Sequence, residues 1–309
     1  MTARTRPAGP IARAAALLAE AGIPSARAEA EWLAAHVLGV PRARLALVDG
    51  FTPAQLDAFD ALVARRARRE PLQHLLGSAP FRRLELAVGP GVFVPRPETE
   101  LLAEWGIAAA RAAAEQQGEA MVVDLCSGSG AIALAVANEV PAARVVAVER
   151  SPSALRWLRR NAADRAAAGD RPIEVVAADV TDPRLLDHLV GRVDVLLCNP
   201  PYVPDGAPVA PEVAVHDPAD AVFAGPDGLA VIRPVVARAA ALLRPGGVLG
   251  IEHDDTHGDV VPALLRAHGG YVEIADHRDL AGRPRFATAR RSHPTDADAR
   301  SSAWQTGCP

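Results

Sequence analysis

Four residues whose types and spacing suit chemistry, Asn199-Pro200-Pro201-Tyr202, close the apolar run Val193-Asp194-Val195-Leu196-Leu197-Cys198. Such a run reads as a buried parallel strand. A polar amide and two rigid prolines therefore stand at a strand's carboxyl end, where open α/β sheets bind ligands near the point of strand-order reversal. The chemistry they suit is the holding of a planar nitrogen. An amide or exocyclic amine delocalises its lone pair and becomes nucleophilic only as acceptors draw on its hydrogens. The Asn199 side-chain oxygen and the Pro200 carbonyl both qualify as those acceptors. Pro200 and Pro201 fix φ and remove competing donors, and Tyr202 can pack against a flat group. A proline-rich turn that merely ends a strand would give the same tetrapeptide, so the surrounding elements must decide.

Upstream, Met121-Val122-Val123-Asp124-Leu125-Cys126-Ser127-Gly128-Ser129-Gly130 runs into a helical pattern from Ala131 to Val140. A strand, a glycine turn and a helix start let a ligand approach the backbone closely. The turn lacks the full dinucleotide spacing, since Cys126 stands at the first glycine position. A second strand, Arg144 to Val148, ends at Glu149, roughly 20 residues beyond the turn, where a carboxylate can take both ribose hydroxyls. A third apolar run, Ile173 to Ala178, ends in Asp179-Val180, placed to flank an adenine.

Asp124 to Gly130, Glu149, Asp179 and Asn199 to Tyr202, in this order, resemble a class I S-adenosylmethionine-dependent methyltransferase. Phe93-Val94-Pro95-Arg96-Pro97-Glu98-Thr99-Glu100 narrows the resemblance to the release factor glutamine methyltransferases, the PrmC/HemK family. Asp217-Pro218, Gly225 to Leu229, Arg244 to Gly247 and Asp279 to Arg283 extend it to about residue 290. The resemblance implies that Asp124, Leu125, Cys126, Ser127 and Gly128 line the methionine and ribose part of the cofactor. It further implies that Glu149 binds the ribose, where Asp is commoner, that Asp179 and Val180 flank adenine, and that Asn199 touches cofactor and substrate. Asn199, Pro200, Pro201 and Tyr202 would hold a glutamine amide, and Arg96, Glu98, Thr99 and Glu100 would position the pocket or merely start a helix. The implied substrate is a class I peptide chain release factor, modified at its Gly-Gly-Gln loop. A ribosomal protein glutamine methyltransferase, an adenine-N6 nucleic-acid methyltransferase and a non-catalytic cofactor-binding protein share parts of this pattern.

The expected architecture is α/β: a Rossmann-like class I methyltransferase sheet of seven strands with a small N-terminal helical domain. Residues 1–75 form the helical, substrate-docking part. Ile11, Ala14, Leu17 and Leu18 mark one apolar face and Leu56, Phe59, Leu62 and Val63 another, with breaks at Gly22 to Pro24, Gly39 to Pro41 and Gly50 to Pro53. Arg65-Arg66 and Arg68-Arg69 read as a solvated helix face rather than a partner-binding patch. Residues 76–95 look like a β-hairpin connector, its β pattern beginning near residue 72. Residues 96–290 alternate helix and strand and form the cofactor-binding domain, with further strands at Val248 to Glu252, Tyr271 to Ala275 and Arg285 to Ala289. The resemblance makes the last strand antiparallel. Residues 291–309 read as a disordered tail.

The 309 residues, half of them hydrophobic, suffice for a substantial core. A formal charge of -4 supplies no global attraction for nucleic acid, so no direct nucleic-acid partner is expected. All 33 basic residues are Arg. Cys126, Cys198 and Cys308 lack metal-ligand spacing, so no metal is expected, and the first two read as small apolar groups. No stretch approaches the roughly 20 apolar residues of a membrane span, and Arg13 and Glu20 interrupt any secretory signal, leaving the cytoplasm as the expected compartment. The segment Glu252-His253-Asp254-Asp255-Thr256-His257 departs from the family's Gly and Gln and reads as neutral surface.

Overall fold

The computed structural model describes residues 4–293, so Trp304, Cys308 and the expected tail from 294 onward lie outside the described residues. Two compact units make up the chain. The first takes the chain up to Ala79 with residues 88–90 and 209–217; the second takes 80–87, 91–208 and the chain from Pro218.

In the first unit, α1 (Ala8–Glu20), α2 (Ala26–Leu38), α3 (Pro53–Ala67) and α4 (Leu72–Leu76) are separated at the Gly/Pro breaks. A capping box opens α3: the Thr52 side chain accepts from Gln55 N, and the Gln55 side chain accepts from Thr52 N. Ile11, Leu18, Leu33, Phe51 and Phe59 form the core, and the two phenylalanine rings stack at 5.2 Å. Two sequence expectations fail here. Leu17, assigned to the apolar face, is 46% exposed, because the helix turns its buried stripe through Pro10, Ile11, Ala14 and Leu18. Arg66 is not on a solvated face: it is 5% exposed, with Nε donating to Glu29 at 2.5 Å and Nη2 to Glu212 at 3.1 Å. Glu212 lies in the helical turn Pro211–His216 and also accepts from Arg69 at 2.9 Å. A buried guanidinium between two carboxylates is costly to break, about 3–5 kcal/mol for loss of one partner. Residues 72–76 are helical rather than β, and the hairpin is confined to β1 (Ser78–Phe81) and β2 (Leu84–Ala87).

The second unit is built on seven strands: β3 (Ala120–Leu125), β4 (Ala143–Glu149), β5 (Glu174–Ala177), β6 (Val193–Cys198), β7 (Leu243–Glu252), β8 (Tyr271–Arg278) and β9 (Pro284–Arg291). Their order is β5-β4-β3-β6-β7-β9-β8. β5, β4, β3, β6 and β7 are parallel, and β9 runs antiparallel to both neighbours. The period of two sorts the strand residues between two cores. Val122, Val145, Ala147, Val195 and Leu197 face α5 (Thr99–Gln117), α6 (Ala131–Glu139) and α7 (Pro152–Ala167). Val123, Leu125, Val146, Val148, Leu196 and Cys198 face α8 (Ile232–Leu242) and α9 (Val260–His268). Burial on both faces explains the uninterrupted apolar runs, each buried Leu or Val contributing roughly 1.5–3 kcal/mol. Gly106 lets α5 lie close to β6, since a Cβ there would come within 2.4 Å of Leu197.

Candidate functional site

The parallel register lines up the strand ends. Leu125 is level with Val148 and with Cys198, and Cys198 with Ile251. The next residues, Cys126, Glu149, Asn199 and Glu252, therefore form a row along the carboxyl edge. Strand order reverses between β3 and β6, so the crevice that binds ligands in such sheets falls between Cys126 and Asn199.

On one side of it, the turn after β3 is held by its own backbone and by Glu149. Cys126 sits at φ 59, a left-handed conformation that costs a non-glycine residue roughly 1–3 kcal/mol. Ser127 N donates to Val148 O at 3.0 Å, Ser127 Oγ to Asp124 O at 2.9 Å, and Gly130 N to Ser127 O at 2.7 Å. Glu149 Oε2 accepts from Gly128 N, and its Oε1 from Arg150 N and Ser151 N, all at 2.8 Å. The carboxylate is thereby fixed in direction, and Oε2, which accepts only once, keeps lone-pair capacity for a further donor. Leu125 is buried in the core. At Gly128, φ is +56 and a Cβ would meet nothing within 4 Å, so the turn opens onto free space.

Asp124 is 1% exposed; its Oδ2 accepts from Ala133 N at 3.2 Å in the first turn of α6, while Oδ1 has no partner. Burial, with the nearby Glu149 charge adding, pushes this carboxyl up to about 7. An unpartnered buried acceptor beside an open glycine turn suits a cationic group. Two strands out, Asp179 accepts from Thr181 N and Oγ1 at 2.8 Å and pairs with Arg150 at 3.2 Å, while Val180 is buried against the core.

On the other side, Asn199 Nδ2 donates to Thr99 Oγ1 at 3.0 Å, which leaves Asn199 Oδ1 as the acceptor available to a ligand. Thr99 is buried at the start of α5, so the Pro95 to Glu100 segment positions the amide from 100 residues away. Arg96 instead lies over the Phe93 ring at 4.6 Å, and Glu100 accepts from Arg82 N at 3.0 Å. Pro200 and Pro201 are buried. Tyr202 donates its hydroxyl to Glu252 Oε1 at 3.0 Å, and burial raises its phenol. Glu252 is 1% exposed with Oε2 unpartnered, and burial lifts its carboxyl to about 7. The Gly228 Cα passes so near Tyr202 O that a Cβ would come within 2.2 Å, and its φ is +71.

The sequence pattern brings Asp124 to Gly128, Glu149 and Asn199 to Tyr202 to one edge, as found, but it leaves out Glu252 and Arg285. The signal for Glu252 is its place after Val248 to Ile251, at the end of a buried strand. Arg285, which donates to Asp279 at 3.0 Å, carries no local signal. The expectation of neutral surface at 252–257 is overturned for Glu252, His253 and His257, while Thr256 is exposed. His253 is 0% exposed, its Nδ1 lies 2.9 Å from Asp254 O and its Nε2 2.9 Å from Asp276 Oδ1, and His257 is also buried. Those residues pack the end of β7 against β8 and β9. Both described cysteines are free thiols, and burial pushes Cys198 up, as for a small apolar group. Among the described residues no helix is long and apolar enough to cross a membrane, and no His, Cys, Asp and Glu group has the makings of a metal site.

Residues 11–77 match the PrmC N-terminal domain family, and residues 109–216 match the methyltransferase small domain family. A release factor glutamine methyltransferase of Mycolicibacterium smegmatis is 53% identical over 281 residues, 91% of this chain and 96% of its own. One of Streptomyces coelicolor is 50% identical over 92% of this chain and 98% of its own. A Homo sapiens release factor glutamine methyltransferase is 36% identical over 88% of this chain and 84% of its own.

Proposed function

The chain belongs to the release factor glutamine methyltransferase family, and from that premise we propose that it methylates the N5 side-chain nitrogen of the glutamine in the Gly-Gly-Gln loop of class I peptide chain release factors. The observation that carries this reading is the orientation of Asn199: Thr99 Oγ1 accepts from its NH2 group, which leaves its oxygen as the acceptor. That is the atom needed to hold an amide nitrogen beside a glycine turn.

The methyl donor in this reading is S-adenosylmethionine, and the residues along the crevice suit it. Asp124 Oδ1 would accept from its ammonium, Glu149 from its ribose hydroxyls, the Cys126 to Gly128 main chain would line its amino-acid part, and Asp179 and Val180 would flank its adenine. Bound there, it supplies a sulfonium-activated methyl group. What the chain itself contributes is orientation and hydrogen-bond acceptance. Asn199 Oδ1 and the Pro200 carbonyl accept the two amide hydrogens, which localises the nitrogen lone pair and aligns it. Pro200 and Pro201 offer no competing N–H, and the Tyr202 ring flanks the amide plane. A strong base is unnecessary, because the nitrogen becomes acidic as it is alkylated and releases its proton late.

All these residues lie in the second unit. The helical first unit is assigned the docking of the protein substrate; a folded truncation lacking residues 1–75 that methylates intact release factor at the full rate would remove that assignment. The reading as a whole is tested by mass spectrometry of a folded release factor incubated with enzyme and S-adenosylmethionine. A single methyl on the loop glutamine is expected. Transfer to adenine in DNA, or to a ribosomal protein glutamine with none to the release factor, would refute it.

A further inference from the structure

We propose that Glu252 is a positioning residue of the amide-holding site, acting through the Tyr202 hydroxyl to hold the tyrosine ring beside Asn199; this rests on the glutamine-methylating reading above. Asn199 and Glu252 end adjacent parallel strands at the same level, one residue past the Cys198 and Ile251 pair. Glu252 is therefore carried on the sheet itself. Tyr202 is the fourth residue of the loop after β6. Its hydroxyl donates to Glu252 Oε1 at 3.0 Å. Its main-chain oxygen is confined from the other side by Gly228, which leaves no room for a Cβ. The ring is thus pinned at its tip by Glu252 and at its backbone by Gly228.

A carboxyl group at 1% exposure is an expensive tether. The Thr99 and Tyr202 side chains and the nearby Arg285 charge favour the carboxylate against its burial, which still lifts the carboxyl to about 7. Either ionisation state keeps an acceptor oxygen for Tyr202. The tether therefore needs an acceptor of the right length and does not need a negative charge.

That distinction sets the experiment. Single-turnover methylation of a release factor is measured for wild type, Glu252→Ala, Glu252→Gln, Tyr202→Phe and the Glu252→Ala/Tyr202→Phe double variant, with cofactor affinity and melting recorded for each. Glu252→Ala is expected to slow transfer about tenfold, the size of one lost buried hydrogen bond, while cofactor affinity holds. Glu252→Gln restores the rate to within about threefold, since its amide oxygen accepts from Tyr202. The double variant is no slower than either single variant, because both remove the same interaction. A wild-type rate in Glu252→Ala, equal losses in Gln and Ala, or multiplying losses in the double variant would each overturn the proposal. Should Glu252→Ala fail to fold, Tyr202→Phe and Glu252→Gln carry the same comparison. NMR of ring-labelled tyrosine gives a readout independent of substrate, and with only two tyrosines in the sequence the spectrum is simple. The Tyr202 ring signals are expected to shift and broaden in Glu252→Ala and to return in Glu252→Gln. Wild type inactive on release factors with this NMR pattern intact would sink the substrate reading and leave the tether standing; an unchanged Tyr202 signal in Glu252→Ala would sink the tether whatever the substrate.

Discussion

The turn after β3 and the tetrapeptide after β6 occupy neighbouring strand ends, yet they are stabilised in opposite ways. The turn is held by near neighbours along and across two strands: Ser127 bonds to Asp124 and Val148, and Glu149 gathers three main-chain N–H groups. The tetrapeptide is held by side chains far off in sequence, Thr99 at one end and Glu252 at the other. A turn whose backbone donors are gathered by one adjacent carboxylate depends on that carboxylate and tolerates change at its other side chains. A pocket built on two remote hydrogen bonds aims two side chains accurately and is lost when either partner moves.

The sharpest way to break this contrast is Gly228→Ala. It adds left-handed strain of about 1–2 kcal/mol and a clash with Tyr202 O worth a further 1–3 kcal/mol, roughly. Melting should drop, and transfer should fall more steeply than cofactor affinity; equal losses in both would erase the distinction between the two regions.

Glu149→Ala tests the turn. Lost charge-assisted bonds to the ribose should weaken cofactor binding by about 1.5–3 kcal/mol, and three N–H groups lose their acceptor, so melting falls as well. Glu149→Asp is expected to keep part of the affinity. Calorimetry showing unchanged affinity in the Ala variant would remove Glu149 from the cofactor site.

Asn199→Ala tests the tetrapeptide at about 1–3 kcal/mol, or ten- to hundredfold in single-turnover rate, with cofactor affinity nearly intact. A rate close to wild type in the folded variant would show that Asn199 does not hold the reacting nitrogen.

Acidity probes the turn next. The folded Asp124 carboxyl lies at about 7, above its ordinary 3.8. Between those values the folded state holds the proton more tightly, so this group's contribution to stability is greatest at low pH, declines as pH rises towards about 7 and is flat beyond. A cation bound at Oδ1 favours the carboxylate, so cofactor binding below about pH 7 should release a proton and weaken by up to about tenfold per pH unit. Calorimetry on both sides of neutrality should show that slope in wild type and a shallower one in Asp124→Asn.

The smallest effect is expected from Thr99→Val, which removes the acceptor for Asn199 Nδ2 and keeps the packing volume. About 0.5–1.5 kcal/mol, or roughly two- to tenfold in rate, should be lost with no change in cofactor affinity. An unaffected rate would mean that Asn199 is aimed by its backbone alone.

Much of the fold and of the crevice is legible in the residue pattern, for reasons that differ by region. Val122 to Leu125 and Val193 to Cys198 read as strands because both faces of a parallel sheet are buried, and the Gly/Pro breaks separate α1, α2 and α3. Where the pattern misleads, the missing information is which neighbour a residue meets. Arg66 looks solvated in a run of arginines, but Glu29 and Glu212 bury it. Leu17 sits one position off the buried stripe of α1, and Leu72 to Leu76 are too short to show a helical period. His253 and His257 give no sign of burial, since only the approach of β8 and β9 covers them.

What the sequence determined by itself was the set of reactive parts and their chain order: the Asp124 to Gly130 turn, the Glu149 carboxylate and the Asn199 to Tyr202 tetrapeptide. Each is a local pattern, a glycine conformation or a strand end, that short-range sterics and hydrophobic periodicity dictate. Only the tertiary structure decided how those parts are aimed. Thr99 and Glu252 lie 100 and 50 residues from the groups they bond, and hydrogen bonds of that separation arise from strand order and register, which no local pattern encodes.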